Sequence, residues 1–183
     1  MILKDFIAPS FLKYLVKFLL AYGVLYYGTL GIIGLAAPGG YYSSFVRQYT
    51  DYPFAFRASL LHGTKMVLSV FGYKSEVEGI YFLKGENGHR IQLVYSCLGF
   101  GLISFWTAFV FANKGKAKTK LIWIMAGIAA LWVINVIRLS LLLVADNKNW
   151  PIPFGMDHHT LYTMVAYFLI LVLMWVYDRY SKQ

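Results

Sequence analysis

The amino-acid sequence predicts an all-α polytopic membrane protein with at least four transmembrane helices, an extracytoplasmic amphipathic helix and a small β-hairpin. Of its 183 residues, 59% are apolar and 19% are aromatic, whereas roughly half of a soluble domain is apolar. A helix needs about 20 apolar residues to cross a hydrocarbon core of about 30 Å. Runs of about that length lie at approximately residues 12–37, 97–112, 121–144 and 160–177. No linker separates them, so residues 1–183 are predicted to form one domain.

Basic residues in the loops predict the side of the membrane that each loop faces. The loop between the second and third spans, NKGKAKTK, contains four lysines and no acidic residue. The positive-inside rule therefore places it, together with both termini, in the cytoplasm. Residues 38–96 and 145–158 are then expected outside. The formal net charge of +9 is concentrated in such flanking segments, which favours membrane topology over nucleic-acid binding.

The predicted extracytoplasmic segment, residues 38–96, combines a helix with a hairpin. Between residues 41 and 72, basic side chains are interleaved with apolar ones, as in an amphipathic helix lying on or partly in the outer leaflet. A re-entrant or tilted span is the alternative. Two β-prone runs then flank Asn87-Gly88, a pair suited to a tight hairpin turn. The second strand leads directly into Cys97, where the second span is expected to begin.

Arg138 is the polar residue that the predicted membrane-spanning helices explain least easily. It lies within the apolar run ALWVINVIRLSLLLVA, where an arginine costs at least about 2.5 kcal/mol at mid-bilayer on insertion scales. Arg138 either extends outward to the lipid headgroups or faces the interior of a helix bundle. Asn135 lies three residues earlier and therefore on the same helix face, which favours the interior.

Cys97 and a histidine pair are predicted to lie on the same side of the membrane as Arg138. A lone cysteine usually packs as a small apolar residue, but a helix N-terminus and a nearby arginine both favour a reactive thiolate. His158 and His159 precede the fourth span. Adjacent helical residues point about 100° apart, so the pair is not suited to chelating one metal ion, and no metal site is expected. One of them is better suited to acid–base chemistry near neutral pH.

These residues together resemble the motifs of the exosortase/archaeosortase family of membrane transpeptidases. The order is a cysteine at the start of a span followed by x-Gly, here Cys97-Leu98-Gly99, then Asn-x-x-Arg in the next span, here Asn135-Val136-Ile137-Arg138, then a histidine before the last span. In the family that histidine is followed by aromatic residues three and eight positions later. His159 fits this pattern, whereas His158 does not.

The resemblance implies a cysteine peptidase and transpeptidase with Cys97, Arg138 and His159 as catalytic residues. Cys97 would form a thioester acyl-enzyme, Arg138 would stabilise negative charge, and His159 would transfer the proton. The expected substrate-binding or orienting residues are Asn135, Gly99, His158 and Tyr162. The implied partners are the C-terminal sorting tail of an exported protein and a lipid or glycan amine acceptor, with no cofactor. The implied location is the bacterial cytoplasmic (inner) membrane, with the active site on its extracytoplasmic side.

Two other functions are compatible with the same residues. Water could resolve the thioester, which would make the protein a membrane cysteine protease. Alternatively, the chain could be a non-catalytic membrane assembly or transport subunit, with Asn135 and Arg138 as polar residues that hold helices together.

Overall fold

A computed structural model of the chain describes residues 9–37, 41–148 and 158–180, without the side chains of Pro9, His158, His159, Leu161 and Tyr162. The described part contains helices, a small sheet and a 3-10 turn, Tyr95–Leu98, which we name the Cys97 turn. The remaining elements are α1 (Pro9–Ala36), α2 (Ser44–Tyr49), α3 (Tyr52–Val70), β1 (Ser75–Glu78), β2 (Phe82–Gly85), β3 (Arg90–Gln92), α4 (Phe100–Ala112), α5 (Ala117–Asn147) and α6 (His158–Tyr180).

The helices confirm the predicted all-α polytopic membrane fold. Within the described residues, three helical stretches are long and apolar enough to cross a membrane: Ser10–Ala36, Ala117–Asn147 and Thr163–Tyr180. α4 is also apolar but has only 13 residues. At 1.5 Å per residue it is about 20 Å long, about two thirds of a hydrocarbon core. The Cys97 turn precedes it in the chain.

Aromatic side chains pack α4, α5 and α6 together in a core that we name the bundle core. Its buried members are Trp106, Val110, Leu131, Ile170 and Tyr177. The indole of Trp106 is fully buried and donates from Nε1 to the carbonyl oxygen of Trp123, 3.1 Å away. This bond satisfies the one polar atom of the Trp106 side chain, which would otherwise be costly to bury.

The close contact between Trp106 and Gly127 predicts that Gly127→Ala destabilises the bundle. A Cβ atom at Gly127 would overlap the Trp106 indole, which is enclosed and cannot shift freely. We expect a loss of about 1–3 kcal/mol, typical of overpacking, measured as a lower Tm in detergent. Gly31→Ala is the matched control because a Cβ at Gly31 has nothing within 4 Å. Equal Tm values for the two variants would contradict the packing described.

The sheet is antiparallel with strand order β1-β2-β3. β2 and β3 form the predicted hairpin, with Phe82 opposite Gln92, and Gly88 in the turn has a φ of +81°. β1 was not predicted and adds a third strand, with Glu78 opposite Phe82. The Lys84 ammonium donates to the Glu78 carboxylate across 2.9 Å, and this hydrogen bond raises the pKa of Lys84. We name the part of the bundle that carries these strands the sheet end.

A second hydrophobic core at the sheet end joins α3, the sheet, the Cys97 turn and α5. We name it the sheet-end core; its buried residues are Leu60, Leu61, Leu68, Leu83, Leu93, Leu98, Val136, Leu139, Leu143 and Val144. α3 begins after Asp51, whose carboxylate accepts from the Phe54 N–H at 3.0 Å as an N-cap. Leu60 and Leu61 of the predicted amphipathic helix point into this core, whereas Met66 and Val70 are exposed. α3 thus packs against the sheet-end core through one face. The predicted helical segment, residues 41–72, forms two helices, α2 and α3, rather than one.

Candidate functional site

Cys97 lies in the Cys97 turn, before α4 begins. The backbone N–H of Cys97 donates to the Val94 carbonyl oxygen at 3.0 Å, which closes the turn. Its half-buried side chain packs against the sheet-end core. α4 starts only at Phe100, because Gly99 has left-handed backbone angles of φ +78° and ψ 17° that interrupt the helix. Cys97 therefore lies three residues before the first residue of α4, close to the predicted start of the second span at about residue 97.

A buried hydrogen bond ties the Cys97 turn to α5. Asn135 Nδ2 donates to the Leu98 carbonyl oxygen at 3.0 Å, and Asn135 itself is buried. The same amide nitrogen would lie 3.1 Å from a Cβ atom at Gly99. A side chain at position 99 would therefore meet two obstacles, the positive φ angle and the Asn135 amide.

Gly99→Ala is expected to destabilise the turn. A left-handed conformation costs a non-glycine residue about 1–2 kcal/mol, and the Asn135 amide must also shift. We expect a total loss of about 1–3 kcal/mol, measured as a lower Tm or denaturant midpoint. In Gly101→Ala, the control, the new Cβ would meet only Tyr26 at 3.8 Å, an ordinary contact. A Gly99→Ala variant as stable as Gly101→Ala would show that the turn tolerates a side chain there.

Asn135 also contacts Arg138, one turn along α5. Arg138 Nη1 donates to Asn135 Oδ1 at 3.5 Å, which confirms the predicted placement of both residues on one helix face. The remaining guanidinium nitrogens, Nε and Nη2, are buried and have no hydrogen-bond partner among the described residues. Within the described residues these two donors are therefore unsatisfied, and a hydrogen bond from either to an anionic oxygen would be charge-assisted.

Arg138 lines a cavity of about 520 Å³ that also reaches the residues flanking Cys97 and Leu98. Ser96, Gly99 and Arg138 line it, together with Tyr22 and Tyr26 of α1 and Phe105 of α4. The α6 residues that line it lie between positions 163 and 171. Positions 163 and 171 are eight residues apart, so this wall of the cavity is about 12 Å long. The cavity thus runs from the level of the Cys97 turn toward the bundle core.

α3 supports the start of α4 from the sheet end. The rings of Tyr52 and Phe56 lie 5.9 and 5.2 Å from the Phe100 ring, measured between centroids. The sequence did not single out α3 as part of the site. The signal available was its aromatic residues, which a bilayer-facing helix would also carry.

The other predicted site residues lie at the start of α6. The backbone of His158 and His159 belongs to its first turn, while the side chains of His158, His159 and Tyr162 lie outside the described residues. Among the side chains that the structure describes, which exclude those of these two histidines, no group of three His, Cys, Asp or Glu residues could hold a metal ion.

The fold and the site define a polytopic membrane protein with a thiol-bearing turn, a half-buried arginine on the next long helix and a largely apolar cavity set among its membrane helices. Over residues 14–176 the chain matches the family model of the transmembrane exosortases (Exosortase_EpsH). It belongs to the exosortase family, which confirms the resemblance seen in the sequence. Comparison with curated proteins and with solved structures finds no match.

Proposed function

We propose that this exosortase is a cysteine transpeptidase that removes the C-terminal sorting tail of exported proteins and transfers them to an amine acceptor of the cell envelope. The observation that carries the proposal is the arrangement at one end of the cavity. Arg138 lines this end with two nitrogens, Nε and Nη2, that have no hydrogen-bond partner among the described residues, and Ser96 and Gly99 border it on either side of Cys97 and Leu98. A substrate carbonyl entering the cavity would approach the thiol-bearing turn and the guanidinium together.

The first chemical step is acyl transfer to Cys97. The Cys97 thiolate attacks the scissile carbonyl carbon, the C–S bond forms, and the C–N bond to the tail breaks. The tail amine takes a proton from protonated His159. Arg138 donates hydrogen bonds to the oxyanion that develops on the carbonyl oxygen. Asn135 orients the guanidinium through its Oδ1 atom and holds the end of the Cys97 turn through Nδ2.

The position of Thr163 supports the role proposed for His159. Thr163 lines the cavity and follows His159 by four residues in α6. Residues four apart in a helix share one face. His159 is therefore proposed to stand one turn beyond Thr163 on the face that borders the cavity. His158 and Tyr162 are proposed to contact the substrate near the same end.

The shape of the cavity matches a substrate that continues into the membrane after the scissile bond. Its walls toward the bundle core are largely apolar or aromatic, including Phe105, Ala166 and Ile170. An apolar tail segment could occupy this space and lie alongside α1 and α6. The proposed orientation is the one that the lysine-rich loop predicts, with the Cys97 turn on the extracytoplasmic side of a bacterial cytoplasmic membrane.

In the second step an acceptor amine attacks the thioester. It gives a proton to His159, the new C–N bond forms, and the Cys97 thiolate leaves. Mass spectrometry of the new C-terminus of a processed protein tests this step. We expect the mass of an amine-linked lipid or glycan on that C-terminus in cells with the wild-type chain. A free carboxylate would instead show that water resolves the thioester and that the protein is a protease.

A further inference from the structure

Arg57 of α3 is buried beneath the Cys97 turn in a stack of three side chains. It is 1% exposed, and its guanidinium carbon lies 4.4 Å from the Tyr81 ring centroid and 4.0 Å from that of Tyr95. The guanidinium carbon therefore lies over the faces of two aromatic rings. Tyr95 is the first residue of the Cys97 turn, so the stack reaches directly into the element that carries the thiol.

The edge of the same guanidinium has no partner in the described part of the chain. Nε, Nη1 and Nη2 are all buried and form no hydrogen bond there. Burial of a charged group without hydrogen-bond acceptors costs stability, and contacts with two aromatic rings offset only part of that cost. A buried apolar side chain of similar length would satisfy the packing without this penalty. Stability alone therefore does not explain an arginine at position 57.

The stack connects three elements that meet around the turn. Arg57 comes from α3, and Tyr81 comes from the connection between β1 and β2. The carbonyl oxygen of Tyr81 accepts a hydrogen bond from the Leu93 N–H at 2.7 Å, two residues before Tyr95. The segment that enters the turn is thus fixed through its backbone at Leu93 and through its side chain at Tyr95. Asn135 fixes the other end of the turn at Leu98.

We propose that Arg57 is a positioning residue for Cys97, acting through Tyr95. By clamping the Tyr95 ring against Tyr81, it holds the Cys97 turn closed and so keeps the thiol oriented. This role rests on the proposed catalytic function of Cys97. It requires the planar, delocalised guanidinium rather than a positive charge alone, because only a flat group stacks on two rings at once.

Hydrogen–deuterium exchange of the whole chain in detergent micelles tests the positioning role without any substrate. The Cys97 N–H, which closes the turn by donating to the Val94 carbonyl oxygen, is an exchangeable amide. In Arg57→Met we expect exchange of the segment 93–100 to rise about tenfold, while the segment 121–144 of α5 is unchanged, because only the local opening becomes easier. Arg57→Lys is expected to behave like Arg57→Met, since the ammonium does not stack in this way.

Variants of Tyr95 show whether the effect passes through the stack. Tyr95→Phe keeps the ring and should leave exchange of residues 93–100 at the wild-type rate. Tyr95→Leu should raise it as Arg57→Met does, and the double variant should show no further increase, because the two residues act as one unit. The matched control is Arg47→Met, which removes an arginine from the Phe54 ring, 4.8 Å away, and from its ion pair with Asp51, both of which lie outside the Cys97 turn.

The outcomes separate this inference from the proposed function. Unchanged exchange of residues 93–100 in Arg57→Met would overturn it, as would an equal rise in every segment, which indicates a general loss of stability. With a processed substrate, the positioning role further predicts that Arg57→Met lowers kcat about tenfold with KM unchanged. If Cys97→Ala still processes the tail, the proposed function fails, but the exchange data still decide whether Arg57 holds the turn.

Discussion

Replacement of Cys97 by alanine or serine is expected to abolish removal of the sorting tail, a loss of more than about 10³-fold, as when the nucleophile of a catalytic set is removed. Cys97 is the only cysteine in the chain, so no second thiol can substitute for it. Serine preserves the size of the side chain, but its hydroxyl is far less ionised than a thiol at neutral pH. The measurement is the fraction of a tail-bearing exported protein that loses its tail in cells expressing each variant.

Both Cys97 variants should still insert and fold. The side chain is half-buried at the edge of the sheet-end core, so its replacement by a small residue leaves no large cavity. Equal amounts in the membrane and a similar Tm in detergent are the controls. Full tail processing by either variant would instead favour the non-catalytic assembly or transport subunit, for which Asn135 and Arg138 serve as helix-packing residues.

Arg138→Lys is expected to reduce tail processing by at least about 10²-fold, comparable to the loss of an oxyanion-stabilising donor. The guanidinium directs one nitrogen to Asn135 Oδ1, while Nε and Nη2 have no hydrogen-bond partner in the part of the chain that the structure describes. An ammonium is a point charge on a flexible chain and cannot reproduce that planar arrangement of donors. The positive charge is kept, so the variant separates geometry from net charge.

Arg47→Lys provides the matched control for this substitution. Arg47 forms an ion pair with the Asp51 carboxylate at 2.7 Å. A lysine ammonium can form an ion pair of the same kind. We expect processing close to that of the wild type. If Arg138→Lys also processes the tail at the wild-type rate, the fork of donors at Arg138 has no part in catalysis.

The part of the site that follows local periodicity could be predicted from the sequence. Asn135 and Arg138 are three residues apart in a long apolar run, which fixes their common face whatever the tertiary structure is. Asn87-Gly88 specifies a hairpin turn by backbone preference alone. The membrane helices are predictable as well, because the bilayer sets their length and composition.

The contacts that build the Cys97 turn depend on tertiary structure and were not predictable in this way. Glycine is compatible with both a packed membrane helix and a left-handed break, and only the folded backbone, in which Gly99 has a φ of +78°, shows that the break forms. β1 is short and carries two glutamates, so its sequence lacks a strong strand pattern. The amphipathic pattern predicts Arg57 on the polar face of its helix, whereas Arg57 is buried together with Leu60 and Leu61. The role of His159 stays a prediction.

The most direct test of the account is to intercept the acyl-enzyme with hydroxylamine, using the whole chain in membrane vesicles and a peptide that contains a sorting tail. Before treatment, we expect the fragment N-terminal to the scissile bond to be found as a thioester on Cys97. Hydroxylamine cleaves thioesters, so treatment should release this fragment with a C-terminal hydroxamate. Neither product should form with Cys97→Ala. Tail cleavage that yields no Cys97 adduct and no hydroxamate would contradict a mechanism through Cys97.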